Sequence, residues 1–528
     1  MAPQLTRFKV VPRSLSLANF SATRRTVLST FVAICLLATP LASVMPPATV
    51  RAANRPNIIL ILTDDQNIDT MRFMPQTKRL LGRQGVRFTQ YYDNISLCCA
   101  ARASLLRGQY AQNTGVFDNQ LPNGGFLKYY KTGLYKNDLG VWLRRSGYTT
   151  SFMGKYLNDY PAPKGGGKGV AKTWVPNGWN DWFVPVDGSP YFQYNYVMNE
   201  NKKLVRYGNK ASDYMTDVIK KRAVNYIKNH ENSSKPYFMY IAPYSPHAPY
   251  TPPARYKNSF SNLTYPQNDA FNEADVSDKP GSVANKQRLR GSSIEQINAI
   301  YRKQAGAVKG VDDLVGEVYR ALKNTGQLDN TYIIFTSDNG YHLGEHRLSP
   351  GKYSPYQPDV NIPLYMRGPG IAPGRVSNAL VGNVDLAPTI MQFAGSKAPG
   401  FIDGMSIASV ARNASSSSGR QYYLLQRNPS NFRGSDNFGT NEPADETSRD
   451  LPYKTANAFG GLVSKDRYKY IRYGNGFEEF YDLRKDPHEL DNLARDPSAM
   501  SSVQRSRFEA MRKSLGSMNQ CRASTCRR

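Results

Sequence analysis

Ile58-Ile59-Leu60-Ile61-Leu62 is a run of five apolar residues with no alternation, closed by Thr63-Asp64-Asp65. A strand with one face in water alternates apolar and polar side chains. Continuous apolarity demands cover on both faces, which a parallel sheet flanked by helices provides. Tyr332-Ile333-Ile334-Phe335 repeats the pattern and ends in Thr336-Ser337-Asp338-Asn339. Between them, Leu139–Ser146 reads as a short amphipathic helix before the strand Tyr148–Met153. Asp213–His230 is a helix leading into the strand Tyr237–Ile241, and Ser293–Leu322 a long helix feeding Tyr332–Phe335. This alternation of helix and strand predicts an α/β fold.

Gly461–Gly474 and Gly476–Leu483 read as two strands of an antiparallel pair, followed by a helix around Ser501–Leu515. They predict a smaller C-terminal α+β domain. The boundary is placed near the serine run Ser415–Ser418, which gives a catalytic α/β domain over 53–410 and the smaller domain over 411–528. Pro161–Gly169, Tyr256–Ser292 and Pro429–Asp450 read as loops, and the chain carries no internal repeats.

Residues 1–52 hold six basic residues and no acidic one, and read as an export signal. Thr23-Arg24-Arg25-Thr26-Val27-Leu28 precedes an apolar stretch, and Val50-Arg51-Ala52 offers a cleavage site. The paired arginines resemble a bacterial twin-arginine signal; an ordinary secretory signal containing Arg-Arg fits as well. Both place the mature protein in a secreted, cell-surface or periplasmic location. Beyond the first fifty residues no uncharged apolar run approaches the ~20 residues of a membrane span, so no transmembrane anchor is expected after signal removal. The whole chain carries 68 Lys+Arg against 41 Asp+Glu, a formal charge of +27; losing the six basic residues of the signal leaves +21. That charge suits a polyanionic substrate or an anionic cell surface. Nucleic acid is not an expected partner, because no nucleic-acid-binding motif accompanies the charge and the chain is exported.

With Cys35 removed, four cysteines remain. Cys521 and Cys526 lie in a polar tail and can close a small disulfide loop in an oxidising compartment. Cys98 and Cys99 are adjacent, a spacing that rarely pairs.

Asp64-Asp65 and Asp338-Asn339 stand at the ends of the two buried strands. Ligands of open α/β sheets bind beyond the carboxyl ends of strands, so both pairs can converge. Four oxygen-bearing side chains suit a hard cation, Ca²⁺ or Mg²⁺, better than zinc. Either pair alone could simply cap the following turn.

Ser96-Leu97-Cys98-Cys99-Ala100-Ala101-Arg102-Ala103-Ser104-Leu105-Leu106-Arg107-Gly108 opens a predicted helix. A thiol is a soft ligand and a mismatch beside an oxygen-only site. The segment resembles the sulfatase signature C-x-P-S-R-x-x-x-L-T-G, in which the first cysteine is oxidised to formylglycine. Cys98 matches that position and Arg102 the arginine. Other segments are similar to the same family in the same order: Arg55-Pro56-Asn57 through Asp64-Asp65-Gln66, Gly154-Lys155-Tyr156-Leu157, Ser245-Pro246-His247-Ala248-Pro249, Thr336-Ser337-Asp338-Asn339-Gly340, Lys352, and Tyr481-Asp482-Leu483 through Asn492-Leu493-Ala494. The resemblance spans roughly residues 55–495 and points to the N-acetylglucosamine-6-sulfatase/arylsulfatase branch. It implies an alkaline-phosphatase-like fold, with a large mixed, mostly parallel sheet flanked by helices.

The chain departs from the signature at Ala100 (usually proline), Ala101 (usually serine) and Arg107 (usually threonine). Leu157 occupies a position where many arylsulfatases carry histidine, which leaves the base for sulfate elimination unassigned. Among the five histidines, His247 lies in a loop just past a strand end and is favoured as catalytic, while His342 and His346 follow the second metal pair and can be substrate-facing or part of a solvated loop.

The resemblance implies that Asp64, Asp65, Asp338 and Asn339, with the group made from Cys98, hold Ca²⁺ (or Mg²⁺). Arg102 orients that group, Lys155 and Lys352 bind sulfate oxygens, and His247 protonates the leaving oxygen. The expected activity is that of a secreted sulfuric ester hydrolase acting on a sulfated carbohydrate or aryl sulfate, activated before export by a formylglycine-generating enzyme. Two other readings stand beside it: a phosphodiesterase or phosphonate monoester hydrolase of the same superfamily, and a catalytically silent glycan-binding protein.

Overall fold

The computed structural model describes residues 55–162, 168–427 and 458–527. The export segment and the polar loop 429–450 lie outside the described residues, as does the centre of the Pro161–Gly169 stretch. Sixteen strands occur among the described residues: β1 (Asn57–Thr63), β2 (Val86–Phe88), β3 (Tyr91–Tyr92), β4 (Thr149–Gly154), β5 (Asp181–Gly188), β6 (Tyr196–Glu200), β7 (Lys203–Tyr207) and β8 (Tyr237–Ala242) in the first half. They continue as β9 (Thr331–Ser337), β10 (Leu364–Arg367), β11 (Arg375–Ser377), β12 (Val381–Gly382), β13 (Tyr422–Arg427), β14 (Phe459–Ser464), β15 (Tyr468–Tyr473) and β16 (Glu478–Asp482). The longer helices are α1 (Cys98–Arg107), α2 (Leu139–Arg145), α3 (Met215–Asn229), α4 (Gly291–Asn324), α5 (Leu386–Phe393) and α6 (Ser502–Met518).

Ten strands form one sheet in the order β11-β2-β10-β9-β1-β8-β4-β5-β6-β7. Its centre, β9 through β5, is parallel, and antiparallel pairs lie on both sides. β1 explains the arrangement. Ile58, Leu60 and Leu62 pack into one core with residues of α1, α2 and α5. Ile59 and Ile61 point the other way, into a second core with α3 and α4. Each such side chain contributes roughly 1.5–3 kcal/mol on burial, so the run has no position free for a polar residue. Among the described residues no helix is long and apolar enough to cross a membrane.

The C-terminal sheet is antiparallel, ordered β13-β14-β15-β16. Gly461–Gly474 is a hairpin rather than one strand: the chain reverses between β14 and β15, with Arg467 in the left-handed region at φ 65°. The predicted pair is therefore three strands, joined by β13. α6 covers the sheet through Phe508, Met511, Leu515 and Met518.

Beyond α6, Cys521 and Cys526 are disulfide-bonded, while Cys98 and Cys99 are free and buried. The tail loop is fastened to the body of the fold. Gln112 and Asn113 donate to the Cys521 carbonyl at 3.1 and 2.9 Å. The buried Arg420, ion-paired with Asp385, donates to the Cys526 carbonyl at 3.3 Å and to the Tyr110 hydroxyl at 2.9 Å.

Candidate active site

β1 and β9 are neighbours in register, Leu62 opposite Thr336 and Thr63 opposite Ser337, so both acidic pairs leave the sheet side by side. The Asp338 amide donates to the Thr63 carbonyl at 3.1 Å, carrying the pairing one residue past the strands. Asp65 has a left-handed backbone at φ 59°. Its amide donates to Asp338 Oδ1 at 3.1 Å, and Asn339 Nδ2 donates to Asp65 Oδ1 at 2.7 Å. Such strain is held only where the surroundings over-determine it, as these bonds do.

Cys98 is the first residue of α1, with its Sγ 3.4 Å from Asp64 Oδ1, 3.6 Å from Asp65 Oδ1 and 2.8 Å from Lys352 Nζ. The residue preceding the helix, Leu97, offers no side-chain cap; Asn119 Oδ1 accepts from the Cys99 amide at 2.9 Å instead. The helix ends at Gly108, whose φ of 60° suits a glycine C-cap. Arg102 lies four residues after Cys98 on the same helical face. Its Nε is 2.8 Å from Asp338 Oδ2, its Nη1 donates to the Lys155 carbonyl at 2.8 Å, and Nη2 is 3.7 Å from Asp64.

Lys155 follows β4 and His247 follows β8, so two more strand ends supply the site. Lys155 Nζ is 2.7 Å from Asp64 Oδ2 and lies 4.9 Å from the Tyr191 ring centroid. His247 Nε2 is 3.4 Å from Asp65 Oδ2, and its ring lies 4.6 Å from that of Tyr191. Lys352 Nζ is 2.6 Å from Asp65 Oδ1. The structure thus brings together Asp64, Asp65, Cys98, Arg102, Lys155, His247, Asp338, Asn339 and Lys352, the residues to which the resemblance gives a role.

The charges balance: carboxylates of Asp64, Asp65 and Asp338 face the cations Arg102, Lys155 and Lys352. Burial by itself would raise the Asp64 carboxyl, but Lys155, His247 and Arg102 hold it below its ordinary value. Lys352 is held cationic: burial works against its charge, and Asp65, Cys98 and Asp64 outweigh that. The Cys98 thiol moves the other way. Burial pushes it well above its ordinary value in spite of Lys155 and Lys352, so little thiolate forms and the sulfur is a poor nucleophile as it stands.

The residues fit a hard divalent cation. Donor atoms of Asp64, Asp65, Cys98 and His247 lie within 4.8 Å of one another. Asn339 Oδ1, a buried amide oxygen, has no hydrogen-bond partner among the described residues. Carboxylate and amide oxygens are the ligands of Ca²⁺ and Mg²⁺. A dication would also turn a balanced centre into a cationic one, suited to an anionic ester.

Three histidine and leucine positions left open by the sequence are defined by their contacts. His342 Nδ1 lies 3.0 Å from Asp359, and His346 Nδ1 lies 2.6 Å from Glu273; both rings are buried in polar pairs. Burial lowers His346 to about 3, which keeps it neutral. Leu157 is buried and packs with the aromatic core. Asn119, Tyr191 and Tyr244, whose ring lies 4.8 Å from that of Tyr191 and 5.8 Å from Lys155 Nζ, carry no motif and were invisible in the sequence, because each reaches the site through the fold alone.

A buried cluster of carboxylates, a thiol and a histidine, flanked by lysines and an arginine at the carboxyl edge of a mostly parallel sheet, is a centre built to receive an anionic ester. A sulfatase family profile matches residues 56–396. N-acetylglucosamine-6-sulfatase of Capra hircus is 34% identical over 504 residues, covering 90% of this chain and 86% of its own. Among solved structures, BT4656, determined with its substrate D-glucosamine-2-N,6-O-disulfate, superposes with a TM-score of 0.67 at 22% identity, covering 88% of this chain and 98% of that one. The phosphonate monoester hydrolase SpPMH of Silicibacter pomeroyi gives 0.66 at 20% identity, covering 89% and 96%. The fold alone is therefore shared by enzymes of both reactions, and the sequence match separates them. The chain belongs to the sulfatase family and is a sulfuric ester hydrolase.

Proposed function

We propose that this sulfatase is exported and removes sulfate from a sulfated sugar, using a formylglycine made from Cys98 and a bound Ca²⁺ or Mg²⁺. The observation that carries the reading is Cys98 itself. Its thiol lies within 3.6 Å of two carboxylates and a lysine, in surroundings that suppress thiolate. An oxygen nucleophile suits those neighbours; a sulfur one does not. Formylglycine supplies such a nucleophile as its hydrate, and a second hydroxyl whose collapse to aldehyde releases sulfate. The dication, when bound, polarises the sulfuryl oxygens.

The chain's own groups do the rest. Asp64, Asp65, Asp338 and Asn339, with the group made from Cys98, would hold the cation, and Arg102 fixes Asp338 and the Lys155 loop while facing the first turn of α1. Lys155 and Lys352 bind sulfuryl oxygens, each already lying against an acid, Asp64 at 2.7 Å and Asp65 at 2.6 Å. His247, with Nε2 directed at Asp65, donates the proton to the departing sugar oxygen. The balance of charge in the protein and the dication together leave a centre that favours a monoanionic ester.

The substrate class is supported by the printed activity of the goat relative and by the amino-sugar sulfate bound to BT4656. Export is supported by the basic, acid-free N-terminal segment, and a formylglycine-generating enzyme would modify Cys98 before it. The deciding experiment measures sulfate release from N-acetylglucosamine 6-sulfate and from 4-nitrophenyl sulfate, alongside turnover of a phenylphosphonate monoester. Preference for the sulfate esters is expected. Faster turnover of the phosphonate would assign the chain to the other reaction, and glycan binding without any hydrolysis would make it a silent binding protein.

A further inference from the structure

One aromatic ring meets both the sulfate-binding and the proton-donating side of the site. Tyr191 is 7% exposed, with Lys155 Nζ 4.9 Å from its ring centroid and the His247 ring 4.6 Å away on planes inclined at 54°. Tyr244 stands edge-on to it at 4.8 Å and lies 5.8 Å from the same ammonium. An ammonium over an aromatic face is drawn to the ring's negative centre. Lys155 is thus held between that face and Asp64 Oδ2 at 2.7 Å. His247 is fastened at Nδ1, 2.9 Å from the Ala248 carbonyl oxygen, and the Tyr191 ring limits its swing while Nε2 faces Asp65.

The loop that carries Tyr191 is itself fixed. Pro190–Phe192, between β5 and β6, form a single helical turn, closed where the Gln193 amide donates to the Pro190 carbonyl at 3.0 Å. Gln193 Oε1 accepts the Thr216 amide at 3.2 Å and the Thr216 hydroxyl at 2.9 Å, and its carbonyl accepts the Met215 amide at 2.9 Å. These bonds tie the loop to the first turn of α3. They also over-determine the left-handed backbone of Gln193 at φ 69°. Thr216 Oγ1 lies 3.1 Å from Ser245 Oγ, two residues before His247. The turn bearing the ring and the loop bearing the histidine therefore share one anchor.

We infer that Tyr191 is a positioning residue of the sulfatase site, its ring setting Lys155 against the sulfuryl oxygens and His247 against the leaving oxygen. This rests on the roles proposed above for those two residues and adds the group that aligns them. Alignment matters because a misplacement of about 1 Å can cost about a hundredfold in rate. Without the ring, the lysine stem and the imidazole gain room on the side away from the carboxylates. The two residues serve different atoms, so their losses are read separately. Lys155 acts on the sulfuryl group whatever departs. His247 matters more as the leaving group becomes poorer, since 4-nitrophenolate departs without a proton more readily than phenolate.

The test measures kcat and KM of the full-length enzyme and of Tyr191→Leu on 4-nitrophenyl sulfate and on phenyl sulfate, with Cys98 conversion checked by peptide mass spectrometry. In Tyr191→Leu, kcat is expected to fall about tenfold on 4-nitrophenyl sulfate and about a hundredfold on phenyl sulfate, so their ratio shifts about tenfold. Tyr191→Phe, which keeps the ring, is expected to hold the ratio within about threefold of wild type. Gln193→Ala, which frees the loop from Thr216, is expected to shift the ratio in the same direction and stands in if Tyr191→Leu does not fold. A merely structural role would lower both substrates alike. An equal loss on both, or Tyr191→Phe as impaired as Tyr191→Leu, overturns the inference. His247→Gln separates this from the proposed function. A ratio shifted in His247→Gln but not in Tyr191→Leu leaves proton donation standing and removes Tyr191 alone. An unshifted ratio in His247→Gln overturns proton donation by His247, and the alignment with it.

Discussion

Lys352→Ala tests the assignment of sulfate binding most directly. Lys352 Nζ lies 2.8 Å from Cys98 Sγ and 2.6 Å from Asp65, and its side chain is only 11% exposed. A unit charge about 4 Å from another is worth roughly 4 kcal/mol at an effective dielectric of about 20. Asp65 already engages part of that in the resting enzyme, so the differential gain at the transition state is smaller, about 3 kcal/mol. That corresponds to a fall in kcat of about 10²-fold, the lower end of what single oxyanion donors supply. The assay is steady-state hydrolysis of 4-nitrophenyl sulfate with kcat and KM resolved separately. Peptide mass spectrometry checks that Cys98 conversion matches wild type, and a thermal melt checks the fold. Because the interaction strengthens as charge develops, the loss belongs in kcat. A fall of less than tenfold, or a loss carried by KM alone, refutes the role.

Peptide mass spectrometry of active enzyme should find Cys98 as the aldehyde with Cys99 unmodified, and Cys98→Ser should stay folded but stop after one turnover, since serine cannot eject sulfate by carbonyl formation; full activity with unmodified Cys98 contradicts the mechanism. Asp338→Ala should lose bound metal and turnover while remaining folded, and chelated wild type should recover with Ca²⁺ or Mg²⁺; recovery with Zn²⁺ alone contradicts the oxygen site. Glu479 is fully buried and accepts the hydroxyls of Tyr356, Tyr473 and Tyr481 at 2.9, 2.7 and 2.8 Å. Burial raises it from 4.5 to about 7, so the folded state binds its proton more tightly and this contribution to stability is present below pH 4.5 and lost as pH rises through about 7. The difference in unfolding free energy between Glu479→Gln and wild type should therefore swing by about 3 kcal/mol toward the variant from pH 4.5 to 8, and a pH-independent difference in urea melts counts against it.

What the sequence made legible followed from local pattern. β1 and β9 were readable because burial on both faces leaves no polar position, and their acidic ends were readable because strand ends are where ligands sit. Arg102 came with Cys98 through helical spacing. The failures are non-local. Ser464-Lys465-Asp466-Arg467 turns the chain inside what reads as one strand, since nothing but the left-handed Arg467 marks the reversal. β5 to β7 lie in a stretch without a clear period and were not read as strands. His342 and His346 stayed ambiguous because their partners, Asp359 and Glu273, lie 17 and 73 residues away. Asn119 caps a helix that begins 21 residues earlier, a distance at which no periodicity carries the signal.

The fastened tail also ties distant parts of the chain to one another. The loop closed by Cys521–Cys526 presents both cysteine carbonyls to groups from elsewhere in the fold: Gln112 and Asn113, a few residues past α1, hold one, and Arg420, just ahead of β13, holds the other. Asp403 accepts the Ala523 amide of the same loop at 2.7 Å. Reducing the disulfide would free the loop that these bonds hold in place, so its loss would be felt where the C-terminal sheet meets the helices of the large sheet and not at the tail alone.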